Sequence, residues 1–243
     1  MTSDARAVLF DMDGVIVDSE VYWHELEQRR ILPEALGNDH PDPDETTGMN
    51  FREIYDYLDA NYEVRVERSE FLSLYERTAR EIYTQKASLM AGFRELCAEL
   101  REAGVTIGVV SSSPHEWISL VTDRFDLAFD AIVSAEDIDG PGKPEPAVYE
   151  YAADVVGVEP SRCLVVEDSV HGTRAASRAG ATVIGYRGAA NADLDLPAVD
   201  VVVSSPEELR AELYRRVDAG GRATERKSNS EKGAGHRNRN TTG

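Results

Sequence analysis

Cysteine is nearly absent from this chain. Two occur in 243 residues, Cys97 and Cys163, too few for a disulfide framework. Lysine is almost as scarce, with four (Lys86, Lys143, Lys227 and Lys232) beside 22 arginines. Basic residues as a class fall well short of acidic ones, 26 against 45, which leaves a formal net charge of −19. So acidic a surface repels phosphate backbones and anionic headgroups, so neither nucleic acid nor a membrane is expected as a partner. Long apolar runs are missing too, and none approaches the roughly 20 residues of a spanning helix. The opening MTSDARAVLF has no basic stretch leading into an apolar one. No secretory signal is therefore expected, and a cytoplasmic protein is. Acid-rich, lysine-poor surfaces suit a salt-rich cytosol, where counterions screen the self-repulsion. A halophilic origin is the expectation.

What remains is enough to build a core. Hydrophobic residues make up 42% and charged ones 29%, the mix of a packed interior within a solvated shell. The length suits one large domain or two small ones. The C-terminal stretch differs in kind. From Asp218 to Gly243 it carries six bases, three acids, many glycines and serines, and almost nothing apolar. It cannot bury enough surface to offset its ordering entropy, so 218–243 reads as a disordered basic tail.

Two spacings alternate along the rest. AVLFD (7–11) is a short apolar run ending in aspartate, the pattern of a buried strand. Apolar residues at helical spacing follow over 20–31, 51–60 and 69–86, the last with Ser69-Glu70 as its start. PEALGNDHPDPDETTGMN (33–50) reads as a loop. Later, strands at 105–111, 131–134, 163–168, 182–186 and 199–204 alternate with helices at 92–103, 114–124, 146–156, 170–179 and 206–217. That alternation predicts an α/β fold with a Rossmann-like, doubly wound parallel sheet. With 7–11 in the sheet, the core comprises 1–17 and 89–217, and 18–88 is an inserted α-helical cap domain.

Ligands of an open parallel sheet sit outside the carboxyl ends of its strands. Asp11 and Asp13 follow the first strand, and Ser111, Ser112 and Ser113 the second. Glu167 and Asp168 end CLVVED, and Lys143 stands in GKPEP before a helix. Singly, each is ordinary: strand-end aspartates form turns, and serines ahead of Pro114 cap helices. Together they crowd carboxylates on one rim, a repulsion that a divalent cation relieves. Mg²⁺ takes oxygen ligands, which Asp11, Asp168 and the Asp13 carbonyl could supply. Lys143 is one of only two lysines before residue 218. A compact ammonium can serve a phosphate oxygen and a carboxylate together. Cys97 and Cys163 fall on apolar faces and read as buried thiols.

FDMDGVIVDSE, VVSSSP, GKPEP and VVEDSVHG, in this order, resemble the four motifs of the haloacid dehalogenase (HAD) superfamily. The match is to its phosphatase and phosphomutase branch with a small helical cap, and it runs from residue 7 to about 215. The resemblance implies a HAD-like core, a Mg²⁺ cofactor, a small phosphorylated metabolite as partner, and hydrolysis through an aspartyl-phosphate. It implies Asp11 as nucleophile and Asp13 as general acid and base. Ser111, with Ser112, would bind the phosphoryl group, and Lys143 would stabilise its charge. Asp11, Asp13 and Asp168 would hold the metal, with Glu167 as ligand or supporting partner. Asp13 also argues against two sibling reactions, since the family's dehalogenases and phosphonate hydrolases lack that second aspartate.

Substrate choice would fall to the cap. Glu20, Trp23 and His24 on its first helix, and Thr47, Gly48, Met49 and Asn50 in its loop, are the candidate contacts; His24, Gly48, Met49 and Asn50 are taken as substrate-binding. His115, His171 and Arg187 are further candidates. A β-phosphoglucomutase-like sugar-phosphate mutase is the alternative. Such mutases carry an arginine where this chain has Phe51, with Arg52 one residue on, and a histidine where it has Trp23, with His24 next; both departures weaken that reading. A non-catalytic binding module is a third reading, against which the intact motifs argue. A monomer is expected.

If the acidic excess is a salt adaptation, the melting temperature rises by about 5 °C or more between about 0.1 M and about 2 M KCl. A fluorescence melt checks this, and a flat or falling curve marks an ordinary acidic protein.

Overall fold

The computed structural model describes residues 7–37, 41 and 49–217. Gly48, Thr47 and the stretch 218–243 lie outside them. Six strands form one sheet in the order β3-β2-β1-β4-β5-β6. They are β1 (Ala7–Phe10), β2 (Thr106–Ser111), β3 (Ala131–Ser134), β4 (Cys163–Glu167), β5 (Thr182–Tyr186) and β6 (Val201–Val203). Every pairing is parallel. Parallel strands are covered on both faces and so read as near-continuous apolar runs. The central pair, β1 and β4, is buried throughout. Phe10 sits level with Val109 and Val166, so β1, β2 and β4 end at one rim.

Helices α5 (Phe93–Glu102), α6 (His115–Phe125), α7 (Ala147–Val156) and α8 (Val170–Arg178) connect the strands, after an inserted set. That set is α1 (Glu20–Leu26), α2 (Leu32–Leu36), α3 (Phe51–Asn61) and α4 (Arg68–Glu81). Each of α1 and α4 runs on into a π-helical turn, Glu27–Ile31 and Ile82–Lys86. A last helix, α9, covers 206–217. This is the doubly wound α/β arrangement expected from the alternation. The insert leaves and rejoins the sheet layer side by side: Val17 bridges Leu89, and the Asp18 N–H donates to the Ser88 carbonyl at 3.2 Å.

Three local expectations are corrected. Residues 33–36 were expected in a loop but belong to α2. Proline in the first turn lacks only an N–H that has no helical partner, and Gly37 ends the helix at φ 75°. Helix α4 starts at Arg68 after Glu67, one residue before Ser69. Ser113 does not cap α6; Pro114 holds that position, and the Ser113 N–H donates to Ser111 Oγ at 3.0 Å. Asn50 does cap α3, in a reciprocal pair with Glu53.

One apolar layer runs from the sheet into the insert. It joins Phe10 and Phe93 to Trp117, Trp23, Tyr75 and Tyr83. The other face packs Leu9, Val165 and Tyr149 beneath α7 and α8. Cys97 and Cys163 are buried and free, as expected. Among the described residues, no helix is long and apolar enough to cross a membrane.

Phe93 meets Phe10 edge-on at 5.2 Å and is 1% exposed. Phe93→Ala therefore removes packing directly under β1. A loss of about 3–5 kcal/mol is expected, read as a lower urea midpoint at unchanged m-value.

Candidate active site

The rim of the sheet collects the groups that the motifs point to. Asp11 follows β1, its N–H donating to the Val166 carbonyl at 2.9 Å. Ser111 ends β2, and Asp168 follows β4. Lys143 reaches in from the β3–α7 connection. Its Nζ lies 2.5 Å from Asp11 Oδ1, 2.6 Å from Glu167 Oε1 and 3.3 Å from the Val110 carbonyl. Asp11, Asp13, Ser111, Ser112, Lys143 and Asp168 line one cavity of about 220 Å³. His24, Met49 and Asn50 line it too, and the Asn50 amide donates to the Ser112 carbonyl at 3.0 Å.

Glu167 stands behind this group and is fully buried. Its Oε1 accepts from Lys143 and, at 2.8 Å, from the Tyr149 hydroxyl. Its Oε2 accepts from the N–H groups of Asp168 (3.1 Å) and Ser169 (3.2 Å) and from Ser169 Oγ (3.0 Å). A buried carboxylate satisfied by five donors is a fixed anchor. The start of α8 must give it room, since a Cβ at Gly172 would fall 1.8 Å from Glu167 Oε1. Gly14, at φ 74°, does the same for the other carboxylate: its Cβ would fall 1.9 Å from Asp168 Oδ2.

Charge at the site is unbalanced. Burial raises the Asp11 carboxyl well above its usual range, and Lys143 opposes that rise. Burial raises Asp168 as well, reinforced by Glu20, Asp11 and Glu167. Glu20 is pushed up to about 8 by burial and by Asp13 and Glu27. For Lys143, burial works against the charge, but Asp11 and Glu167 outweigh it and hold the ammonium protonated. One ammonium thus faces several carboxylates. Oxygens of Asp11, Glu167 and Asp168 lie within 4.8 Å of one another. An all-oxygen donor set with surplus negative charge fits a hard divalent cation.

Asp13 is held apart from Lys143. Its Oδ1 accepts from Ser19 Oγ at 2.5 Å and from the Tyr83 hydroxyl at 2.8 Å, and its Oδ2 from Ser113 Oγ at 3.1 Å. Burial raises its pKa, and the three hydroxyls moderate the rise. Tyr83, in the π-helical turn after α4, also accepts from Trp23 Nε1 at 3.0 Å. Sequence reasoning missed Tyr83, the Ser113 contact, Tyr149 and Asn191, whose amide donates to the Asp168 carbonyl at 2.6 Å. Each acts across a long stretch of chain, 70 residues for Tyr83, and no spacing pattern reports such contacts.

The outer cavity is walled by the insert. Glu20, Trp23, His24, Glu27 and Gln28 share one face of α1 and its continuation. Phe51 and Ile54 of α3, Tyr75 of α4 and Trp117 of α6 complete the wall. The rings stack on one another, Phe51 with Trp117 at 4.7 Å and Trp23 with Trp117 at 5.4 Å. His171 lines the cavity. His115 and Arg187 do not; His115 contacts Asp137 at 2.8 Å, and Arg187 donates to the Leu194 carbonyl at 3.2 Å.

Fold and site together define a class: a parallel α/β protein with a carboxylate–lysine centre at its strand ends, roofed by an inserted helical layer. The family model of haloacid dehalogenase-like hydrolases matches residues 5–180, and the chain belongs to that family. It is 34% identical to hexitol phosphatase B of Escherichia coli K12, over 84% of this chain and 94% of that one. CbbY of Rhodobacter sphaeroides, solved with phosphate, superposes with a TM-score of 0.69 at 22% identity, over 84% of this chain and 96% of that one. β-Phosphoglucomutase of Clostridium difficile gives the same TM-score at 21% identity, over 90% and 99%. These two structures bear on the fold alone.

Gly172→Ala drives a methyl group into the Glu167 carboxylate, whereas Gly142→Ala meets nothing within 4 Å. Losses of about 2–4 kcal/mol for the first and under about 0.5 kcal/mol for the second are expected in urea unfolding.

Proposed function

We propose that this chain is a Mg²⁺-dependent phosphatase that hydrolyses phosphomonoesters of small metabolites through an aspartyl-phosphate on Asp11. The observation that carries the reading is the Lys143–Asp11 contact at 2.5 Å, in a cavity shared with Ser111, Asp13 and Asp168. The 34% identity to a hexitol phosphatase supports it. The cytoplasm and a monomeric state complete the reading, as does a salt-rich setting, which the acidic, lysine-poor composition supports.

A carboxylate oxygen of Asp11 attacks phosphorus and the ester P–O bond breaks. Asp13 gives its proton to the departing oxygen, a role suited to a carboxyl whose pKa burial has raised. Asp13 then takes a proton from water, whose oxygen bonds to phosphorus. The Asp11–phosphorus bond breaks, and inorganic phosphate leaves. Lys143 stabilises the negative charge on the phosphoryl oxygens and favours the ionised form of Asp11 against the burial that raises its pKa, while Ser111 and Ser112 orient the group. Asp11, Asp168 and the Asp13 carbonyl would hold Mg²⁺, with Glu167 in support. Mg²⁺ bound there would supply charge to offset the carboxylates and polarise the phosphoryl oxygens. The insert, 18–88, is read as a cap domain that shuts out bulk water.

A mutase fits less well. Phe51 lines the cavity where a second phosphate would need a cation, and the adjacent Arg52 pairs with Glu136 at 3.0 Å.

Phosphate release is expected from a panel of phosphorylated metabolites in molar-range KCl. Chelation of Mg²⁺ abolishes it, and Asp11→Asn lowers it by about 10³-fold or more. Turnover surviving in Asp11→Asn overturns the mechanism. Formation of glucose 6-phosphate from β-glucose 1-phosphate, without net phosphate release, moves the assignment to a mutase.

A further inference from the structure

We propose that Glu27, held by Tyr75 at the outer end of the active cavity, selects the substrate by hydrogen bonding to hydroxyl groups. The substrate would be a sugar or polyol carrying a single phosphate. The inference rests on the phosphatase reading and names the substrate class for that site.

Glu27 has no part in the proposed chemistry, yet it lines the same cavity as Asp11. The Tyr75 hydroxyl donates to its Oε1 at 3.0 Å, which fixes the carboxyl and leaves oxygen lone pairs for a ligand. Helix α1 sets the distance to the reacting end. Ser19, at its N-terminus, bonds Asp13. Glu27 lies seven residues beyond Glu20 on the same face, a rise of about 10 Å. A phosphorylated sugar or extended polyol, with its phosphate at Asp11, covers such a span.

The lining also says what the far end of the ligand is not. Among the described residues, Lys143 is the one lysine or arginine on the cavity wall, and it already serves Asp11 and Glu167. A second phosphate or a carboxylate would find no countercharge on that wall, beside the carboxyl groups of Glu20 and Glu27. An ammonium fits poorly for a different reason. The rings stack on one another, Trp23 with Tyr75 at 5.7 Å and with Trp117 at 5.4 Å, and do not form an open cage. Gln28 and His24 share the Glu27 face and add donors as well as acceptors. Hydroxyls use both, whereas an ammonium only donates. The aromatic wall then meets the C–H surface of the carbon skeleton.

The test compares sorbitol 6-phosphate with hexyl phosphate, which keeps the chain and the phosphoester but lacks the hydroxyls. With the full chain and Mg²⁺, kcat/KM favours the polyol ester by about 100-fold or more. Glu27→Gln, and more mildly Tyr75→Phe, shrinks that ratio by about 10-fold or more, mainly through KM. Equal losses on both esters give Glu27 a structural role only and overturn the proposal. A preference for O-phosphoethanolamine or for a sugar bisphosphate overturns it too. Calorimetry on Asp11→Asn separates this inference from the phosphatase reading. Sorbitol 6-phosphate binds that variant, and adding Glu27→Gln weakens binding by about 10-fold or more. If that holds while no ester is hydrolysed by the wild type, the hydrolytic reading fails and the role of Glu27 stands. If binding is indifferent to Glu27, the inference fails whatever is hydrolysed.

Discussion

A single buried ammonium shared by two carboxylates organises this protein. Lys143 contacts Asp11 and Glu167 with its side chain only 5% exposed. Such a cluster is costly to desolvate, and removing one partner from a buried pair costs about 3–5 kcal/mol because the other charge is stranded. The surroundings are built to hold it. Backbone N–H groups and Ser169 saturate Glu167 from one side and Tyr149 from the other. Gly172 leaves space at the start of α8. Parallel pairing of β1 with β2 and β4 brings the carboxyl ends of three strands together, and loops that are remote in sequence meet there.

The insert is tied to this centre through Asp13. Ser113 holds that carboxyl from the sheet layer, and Ser19 and Tyr83 hold it from the insert. Tyr83 in turn accepts from Trp23, which stacks on Trp117 of α6. The proposed acid and base is thus positioned by both layers, while Asp11 is positioned by the sheet alone. A displacement of the insert relative to the sheet would change the hydrogen bonds of Asp13 and leave the Lys143–Asp11 contact intact.

Most of the architecture was legible because it follows from local patterns. Apolar runs such as CLVVED and TVIGY mark buried strands, and helical stripes mark the layers between them. Asp11, Ser111 and Asp168 were legible because topology brings strand ends together, and Lys143 because a lone lysine stands in GKPEP. What failed was of two kinds. Some local signals had competing readings: PEAL looks like a turn, yet proline is tolerated in a first helical turn, and Ser113 looked like a cap but spends its hydroxyl on Asp13. Other features rest on pairings that leave no local trace. Tyr75 with Glu27 and Tyr83 with Asp13 join residues 48 and 70 apart, and it is packing of α4 and the turn after it against the continuation of α1 and the loop after β1 that creates them.

The overall charge adds a constraint on how an anionic substrate arrives. A net charge of −19 repels a phosphate ester at long range, so the approach gains nothing from steering. The attraction that matters acts at short range, at Lys143 and at the cation that the Asp11 and Asp168 carboxylates would hold. Salt distinguishes the two regimes. A Debye length of about 3 Å at 1 M erases the repulsion of exposed carboxylates but barely reaches a lysine as buried as Lys143. High ionic strength therefore removes the barrier to entry while leaving the binding centre in force. An acidic shell around an anion-binding site is thus no contradiction in a salt-rich medium.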